Sequence, residues 1–236
     1  MTNETTSNIR RVVGWLLEGI KFVAAGIGIL VFAMIGLFAP GIGLFEIRDS
    51  EDLRPDVEAN ARKALLTDDD LNDVFRAGPD GWVIDAEPIG EIAVGSCSAE
   101  PIEAQVGFIG VVHRNLVGSE FGPVVAHRIY VFEHRSKAEA AMEYARSAYL
   151  CETDRIEDVP VKYLDLEIQP VGDDTFARGW QGQDGFLGAH YVLVRRSYAV
   201  VQIFVLAPEY PNPDRTFHYA QRAVEKLEKS DPELSD

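Results

Sequence analysis

The sequence predicts an α+β protein in which a single N-terminal transmembrane helix is followed by one domain with a mainly antiparallel sheet packed by helices. Three observations lead to this prediction. Residues 22–45 carry no charged side chain, apolar residues recur in strand-like runs of the later chain, and capped helical segments flank those runs. The elements follow in the order helix, helix, strands, helix, strands, helix, and strands joined as hairpins favour antiparallel pairing.

The uncharged run from Phe22 to Phe45 is long enough to cross a bilayer. A helix rises about 1.5 Å per residue, so about 20 apolar residues span a hydrocarbon core of about 30 Å. We expect the helix over residues 12–40, because Pro40 removes a backbone hydrogen bond and disfavours helix at the residue before it. A cleaved signal peptide is the alternative, but its apolar region has about 7–15 residues and precedes an A-x-A-like site. Leu37-Phe38-Ala39 matches that site poorly, which favours an uncleaved anchor in the lipid bilayer.

The anchor divides the chain into regions of different character. We expect a polar cytoplasmic tail (residues 1–11), the anchor (12–40), a juxtamembrane spacer (41–54), an α+β extracytoplasmic domain (55–229) and an acidic tail (230–236). The basic residues on the two sides of the uncharged run 22–45 favour a cytoplasmic N-terminus only slightly. They are Arg10, Arg11 and Lys21 on one side, and Arg48 and Arg54 on the other.

Two small residues of the anchor, Ala24 and Gly28, lie four positions apart and therefore on one face of a helix. Such a face lets a second helix approach closely. It predicts contact with another membrane protein, or a homodimer through the transmembrane helix. The alternative is that glycine and alanine are common in membrane helices without that role.

The negative charge of the chain lies after the anchor. The whole chain has a net charge of −16, residues 1–45 carry +1, and the remainder therefore carries −17. A surface of this sign repels phosphate backbones and an anionic membrane leaflet. The composition thus argues against nucleic-acid binding and against a polybasic domain that docks on lipid.

Both cysteines, Cys97 and Cys151, follow the anchor. No C-x-x-C motif or Cys/His cluster occurs in the sequence, so we expect no zinc site. Cys97 follows a strand-like run and Cys151 closes a helix-like run, positions that suit a disulfide. A disulfide needs an oxidising compartment, which favours an extracytoplasmic domain. Two buried free thiols in a cytoplasmic domain are the alternative.

Two helices are expected at the start of the domain. Pro55 suits the first turn of a helix that continues through the sequence VEANARKALL. Thr67 suits an N-cap, and Asp68–Asp70 suit the first turn because the helix dipole favours acids there. Residues 84–94 are interrupted by proline and glycine and predict irregular extended chain.

The middle of the domain predicts two strands and a helix. Residues 104–113 and 124–132 are the strands, joined by a glycine-bearing loop. Ser136 and Glu139 have the spacing of a capping box and predict that a helix starts there.

The last part of the domain predicts three strands, two connecting segments and a helix. The strands are expected at residues 161–168, 188–195 and 199–206, with loops at residues 172–174 and 196–198. Asn212 is expected to cap the final helix. The last two strands are apolar on both faces, so helices should cover both faces there, or one face should line an apolar cleft.

The second half of the chain resembles a known family. Four stretches carry the similarity: the helix SKAEAAMEYARSAYLC, the loop VGDDTFA (171–177), the hairpin HYVLVRRSYAVVQIFVL and the helix with AQRAVEKL. They are similar to the extracytoplasmic sensor domains of mycobacterial serine/threonine kinases of the PknH type and related actinobacterial secreted domains. With the opening ALLTDDDLNDV, the resemblance covers residues 64–229. It implies an antiparallel sheet with flanking helices, a cleft, and a binding or sensing role. The sequence departs from the family in having no kinase domain and only two cysteines.

Four aromatic residues on predicted strands are the candidates for a ligand cleft. They are Tyr130, Phe132, Tyr191 and Phe204. Ligand clefts are lined mainly by apolar and aromatic side chains. Core packing is the alternative role for the same residues.

Few polar residues suggest chemistry, and we expect no catalytic residue, metal or cofactor. His127 and His190 lie on predicted strands and could meet across the sheet, but the histidine spacings match no metal motif. Asp173 and Asp174 are adjacent in a turn, where side chains usually diverge or bond their own backbone. Arg195-Arg196 ends a strand, and either contacts solvent or holds an anion.

These features predict a single-pass, membrane-anchored protein whose extracytoplasmic domain binds a ligand or partner without catalysis. The alternative is an accessory subunit of a larger membrane protein complex. An enzyme would need several polar residues converging in one pocket, which the sequence does not indicate.

Overall fold

The computed structural model describes residues 53–72, 83–85, 102–118, 123–148, 153–156, 159–183, 185 and 187–231. Its helices are α1 (Pro55–Ala64), α2 (Asp68–Asn72), α3 (Arg135–Ala148) and α4 (Pro213–Ser230), with a 3₁₀ turn at Ile102–Ala104. Its strands are β1 (Val83–Asp85), β2 (Phe108–Val117), β3 (Val124–Phe132), β4 (Thr153–Ile156), β5 (Val159–Asp165), β6 (Asp174–Gly182), β7 (Gly188–Arg196) and β8 (Ala199–Ala207). These elements belong to one compact unit, residues 47–236.

The strands form one eight-stranded sheet in the order β1-β2-β3-β8-β7-β6-β5-β4. Every neighbouring pair is antiparallel. The last strand of the chain, β8, lies between β3 and β7, with Ile203 opposite both His127 and Val192. It therefore joins the first hairpin of the domain to the later strands. The α+β class and the antiparallel sheet agree with the prediction.

Alternate residues of the central strands face two separate layers. One side, the aliphatic face, packs against α1, α2 and α4, and its strand residues include Val125, Ile129, Val192, Val201 and Ile203. The other side, the aromatic face, packs against α3, and its strand residues include Tyr130, Phe132, Trp180, Tyr191 and Phe204. The centre of the sheet is thus covered on both faces, as the two-sided apolar pattern of β7 and β8 predicts.

Local sequence signals account for several element ends. Helix α1 begins at Pro55. At α2, the backbone N–H and the hydroxyl of Thr67 donate to the Asp70 carboxylate at 2.8 and 2.9 Å. At α4, the Asn212 side chain accepts a hydrogen bond from the Asp214 N–H at 2.8 Å. These contacts satisfy backbone donors that a helix start leaves unpaired.

Four predictions of element bounds are wrong. The strand predicted at residues 161–168 lies at Val159–Asp165. The stretch VGDDTFA (171–177) is a loop only at its start, because β6 begins at Asp174, a strand that the sequence pattern does not predict. The strand predicted at residues 104–113 begins at Phe108 instead, after a turn in which the Phe108 N–H donates to the Gln105 carbonyl at 3.2 Å. Helix α3 begins at Arg135, and the Glu139 carboxylate accepts from the Arg135 side chain at 3.0 Å.

Several predictions concern residues outside those that the structure describes. They are the anchor at residues 12–40, the small-residue pair Ala24 and Gly28, and the cysteines Cys97 and Cys151. Within the described ranges, none of the helices has both the length and the apolar character needed to span a bilayer.

Candidate functional site

The four aromatic candidates for a ligand cleft lie together on the aromatic face. Tyr130, Phe132, Tyr191 and Phe204 are 2, 0, 4 and 5 % exposed. All four belong to the buried cluster that packs against α3. This placement agrees with core packing, while contact with a ligand stays a prediction.

A groove opens beside the first half of β6. Strand β5 pairs with β6 only as far as Asp165, opposite Arg178, and residues 166–170 then leave the sheet. The space between these residues and β6 has a volume of about 280 Å³ and is lined by Leu166, Ile168, Pro170, Asp173, Asp174, Thr175 and Ala177. Ligand pockets usually measure about 300–1,000 Å³. The volume of this β6 groove lies just below that range, so it has room only for a small ligand or a few side chains of a partner.

The two acids at the rim of the β6 groove bind arginines of the same chain. Asp174 pairs with Arg146 of α3. Asp173 accepts from Arg195 at 3.1 Å, from Arg196 at 2.7 Å and from the backbone N–H of Ser197 at 2.8 Å. Burial acts to raise the pKa of Asp173, but these donors hold it below its ordinary value. The adjacent carboxylates thus diverge, as predicted for this turn.

The arginine pair at the β7–β8 turn links several elements. Arg195 is 5 % exposed and lies 3.7 Å from Glu139 of α3, besides its bond to Asp173. Arg196 also pairs with Glu228 of α4 at 3.0 Å. Carboxylates of the chain itself therefore neutralise both guanidinium groups, which argues against an external anion site. Arg195 is buried, whereas Arg196 stays partly exposed to solvent.

His127 and His190 lie on the same face of the sheet but do not meet, because β8 runs between their strands. Both side chains are 0 % exposed. The His127 Nδ1 accepts a hydrogen bond from the Leu66 N–H at 2.9 Å. The His190 Nδ1 lies 2.8 Å from the Thr216 hydroxyl of α4.

A partly buried ion cluster adjoins His127. The Asp70 side chain, 6 % exposed, accepts from Arg222 at 3.1 Å and from Lys226, both on α4. Burial acts to raise the pKa of Asp70, but the hydrogen bonds from Lys226, Thr67 and Arg222 lower it to about 2. Arg114, opposite His127 on β2, donates to the Leu66 carbonyl at 3.0 Å.

Tyr210 packs closely against His190. The Tyr210 ring lies edge-on to the imidazole, with 4.7 Å between ring centroids. A Cβ at Gly179 would lie 2.5 Å from the Tyr210 hydroxyl, and a Cβ at Gly188 would lie 2.7 Å from the Tyr210 Cα. Glycine at both positions therefore allows Tyr210 to sit over His190.

Sequence reasoning assigned no role to the cluster around Asp70. Its partners on α4 lie 152 and 156 residues away along the chain. The Thr67-x-x-Asp70 spacing signals a helix cap, which forms, but nothing local points to Arg222 or Lys226. Among the described residues, no three His, Cys, Asp or Glu side chains are grouped so that they could hold a metal ion.

Comparison with known proteins gives a fold and no family. No protein-family model matches this chain. No curated protein matches it either. Among solved structures, the chain is similar to the extracellular domain of PknH from Mycobacterium tuberculosis, with 16% sequence identity and a TM-score of 0.53. The match covers 75% of this chain and 97% of that one. The chain therefore shares its fold with the extracellular domain of that protein.

Proposed function

We propose that this chain is a single-pass membrane protein with an extracytoplasmic binding or sensor-like domain that does no catalysis. The observation that carries the proposal is the fold shared with the PknH extracellular domain. The uncharged run of residues 22–45 supports the membrane anchor. The Cys97–Cys151 disulfide, the Ala24/Gly28 helix contact and a cytoplasmic N-terminus are parts of this proposal.

The β6 groove is the surface that we propose for ligand contact. It combines apolar side chains with the polar rim of Asp173, Asp174 and Thr175, the mixture typical of small-ligand sites. The rim acids are already paired with arginines, so a ligand would meet polar groups whose charges are largely compensated. The aromatic cluster behind α3 stays a second candidate for a cleft.

Topology is tested by cysteine labelling of the full chain in intact cells. Val106 is 76 % exposed, so a V106C variant offers a reactive thiol on the domain surface. We expect a membrane-impermeant maleimide to label it before lysis, beyond the background of the unsubstituted chain. A matched S7C variant in the N-terminal tail should react only after lysis. Labelling of V106C only after lysis would show that the domain is cytoplasmic.

The accessory-subunit alternative is tested by native sizing after detergent extraction. The proposal expects the chain alone or as a homodimer. A constant stoichiometric set of other membrane proteins supports the alternative. Replacement of Gly28 by leucine should dissociate either assembly if the Ala24/Gly28 face holds it, whereas Leu30→Ala is the control.

A further inference from the structure

Helices α1, α2 and α4, here called the helical layer, cover the aliphatic face of the sheet above two buried histidines. His127 lies on β3 and His190 on β7. Among the residues that the structure describes, neither Nε2 atom has a hydrogen-bond partner. A buried imidazole that makes one hydrogen bond is held in its neutral form, because burial penalises the charged form.

The contacts of His127 fix which nitrogen carries the proton. Its Nδ1 accepts from the Leu66 N–H, so the neutral ring carries its proton on Nε2. A second proton would turn Nδ1 into a donor that faces another donor. The bond that ties the α1–α2 connection to the sheet would then break.

Nearby charges oppose a proton on His127 as well. The positive charges of Arg114 on β2 and Lys226 on α4 destabilise the imidazolium, whereas the negative charge of Asp70 on α2 stabilises it. Asp70 already accepts from Lys226 and Arg222, which reduces its attraction for a further cation. Burial and the two cations together lower the pKa of His127 to about 3.

His190 meets α4 at its first turn. Its Nδ1 lies 2.8 Å from the Thr216 hydroxyl, and Tyr210 from the preceding segment packs against the ring. Burial lowers the pKa of His190 to about 4. A proton on this ring would place a charge between the sheet and the N-terminal turn of α4.

We propose that the helical layer is an acid-releasable cover, in which protonation of His127 and His190 detaches α1, α2 and α4 from the aliphatic face. When the layer opens, both imidazoles reach water and bind protons with an ordinary pKa of about 6.5. The open state therefore gains protons below pH 6.5, while the closed state stays neutral until about pH 4 or 3. The contribution of the two neutral histidines to closure of the helical layer is fully present above pH 6.5 and decreases as the pH falls towards 4. Two such groups change the open-to-closed ratio about 100-fold between pH 7.5 and pH 5.5.

Hydrogen exchange on the detergent-solubilised full chain tests whether acid opens the helical layer. We expect peptides from α1 and α4 to exchange about 100-fold faster at pH 5.5 than at pH 7.5, after correction for intrinsic rates. Peptides from α3 should change far less. The H127N/H190N double variant, whose amides can keep the single hydrogen bonds, should lose this dependence. The H134N/H218N variant is the matched control, because His134 and His218 are exposed, and it should behave like the unsubstituted chain.

Two results of the exchange experiment would overturn the proposal. One is an equal acceleration in α3 and α4, which would mean global unfolding. The other is an unchanged pH dependence in H127N/H190N. If the double variant does not fold, imidazole NMR titration of the unsubstituted chain decides. Titration of His127 or His190 in the folded state near pH 6.5, the ordinary pKa of an imidazole, would contradict the inference.

Discussion

The two faces of the sheet use the same strands but are packed in different ways. Consecutive residues of β3 show this: Val131 faces the aliphatic cluster, and Phe132 faces the aromatic one. On the aliphatic side, branched side chains meet small residues of the helices, such as Ala61, Ala220 and Ala223. On the aromatic side, large rings meet Ala138, Ala141, Met142 and Ala145 of α3.

The difference shows how each layer is held in register. On the aromatic face, rings from neighbouring strands pack against one another beneath α3, as in the edge-on contact of Phe108 on β2 and Phe132 on β3 with 6.1 Å between centroids. Packing against an aliphatic surface fixes the position of a helix less precisely than packing against aromatic rings. The helical layer is held by polar contacts, chiefly the Leu66–His127 bond and the Asp70 pairs with α4. Helix α3 has ion pairs as well, but they lie at the rim of the aromatic cluster, at Asp174 and Arg195. The aromatic face should therefore be sensitive to lost volume, and the aliphatic face to lost polar partners.

The largest decrease in the free energy of unfolding is expected when a side chain on the aromatic face is shortened. Phe132→Ala should lower the free energy of unfolding by about 3–5 kcal/mol, because Phe132 is fully buried and a cavity would remain. Val131→Ala, on the neighbouring residue of the opposite face, should lower it by about 2 kcal/mol. Urea unfolding of the full chain measures both. Because the two substitutions remove side chains of different size, the losses are compared per carbon atom removed, and equal values would remove the contrast between the faces.

A smaller effect is expected from removing the charge of Asp70. Asp70→Asn should lower the free energy of unfolding by about 1–2 kcal/mol at pH 7, because Arg222 and Lys226 lose their shared carboxylate. The pKa of Asp70 is lowered to about 2 from 3.8, so this stability is present above pH 3.8 and is lost as the pH falls through 2. Unfolding curves at pH 7 and pH 3 test the sign. Asp69→Asn, at an exposed neighbour, should change little.

The third prediction concerns the start of α4. Asn212→Ala should cost about 1 kcal/mol, because the Asp214 N–H loses its cap. Hydrogen exchange should rise in the first turn of α4 and not in α3. A uniform rise over the whole domain would mean that the cap does not act locally.

The smallest effect is expected at the start of α3. Ser136 lies inside the first turn of a helix that begins at Arg135, and Glu139 bonds Arg135. Ser136→Ala should therefore change the free energy of unfolding by less than about 0.5 kcal/mol. If Ser136→Ala lowers the free energy of unfolding as much as Asn212→Ala does in the same assay, the capping box that the sequence predicts is present after all.

Local signals predicted a large part of the fold. The proline at the start of α1, the Asn212 cap and the β7–β8 hairpin all depend on neighbours in the chain, and all appear at the expected places. The continuous apolar character of β7 and β8 predicted cover on both faces. These features could be predicted because turn chemistry and side-chain periodicity act within a few residues.

The candidate site was harder to predict. The β6 groove exists because β5 leaves the sheet after Asp165 while β6 continues to Asp174. The sequence of β6 includes Arg178, Gly179 and Gln181, which do not favour a strand. Pairing with β5 and β7 imposes the strand, and the approach of Tyr210 favours glycine at position 179.

The sequence by itself determined the order of most elements, the antiparallel α+β class and the acidic character of the domain. The tertiary structure alone decided which polar groups are buried together. Asp70 meets Arg222 and Lys226, and His127 meets Leu66 and Arg114, across separations of up to 156 residues. The physical reason is that helix caps and turns are formed by near neighbours, whereas burial, ion pairing and the neutral state of a histidine depend on distant segments brought together by the sheet.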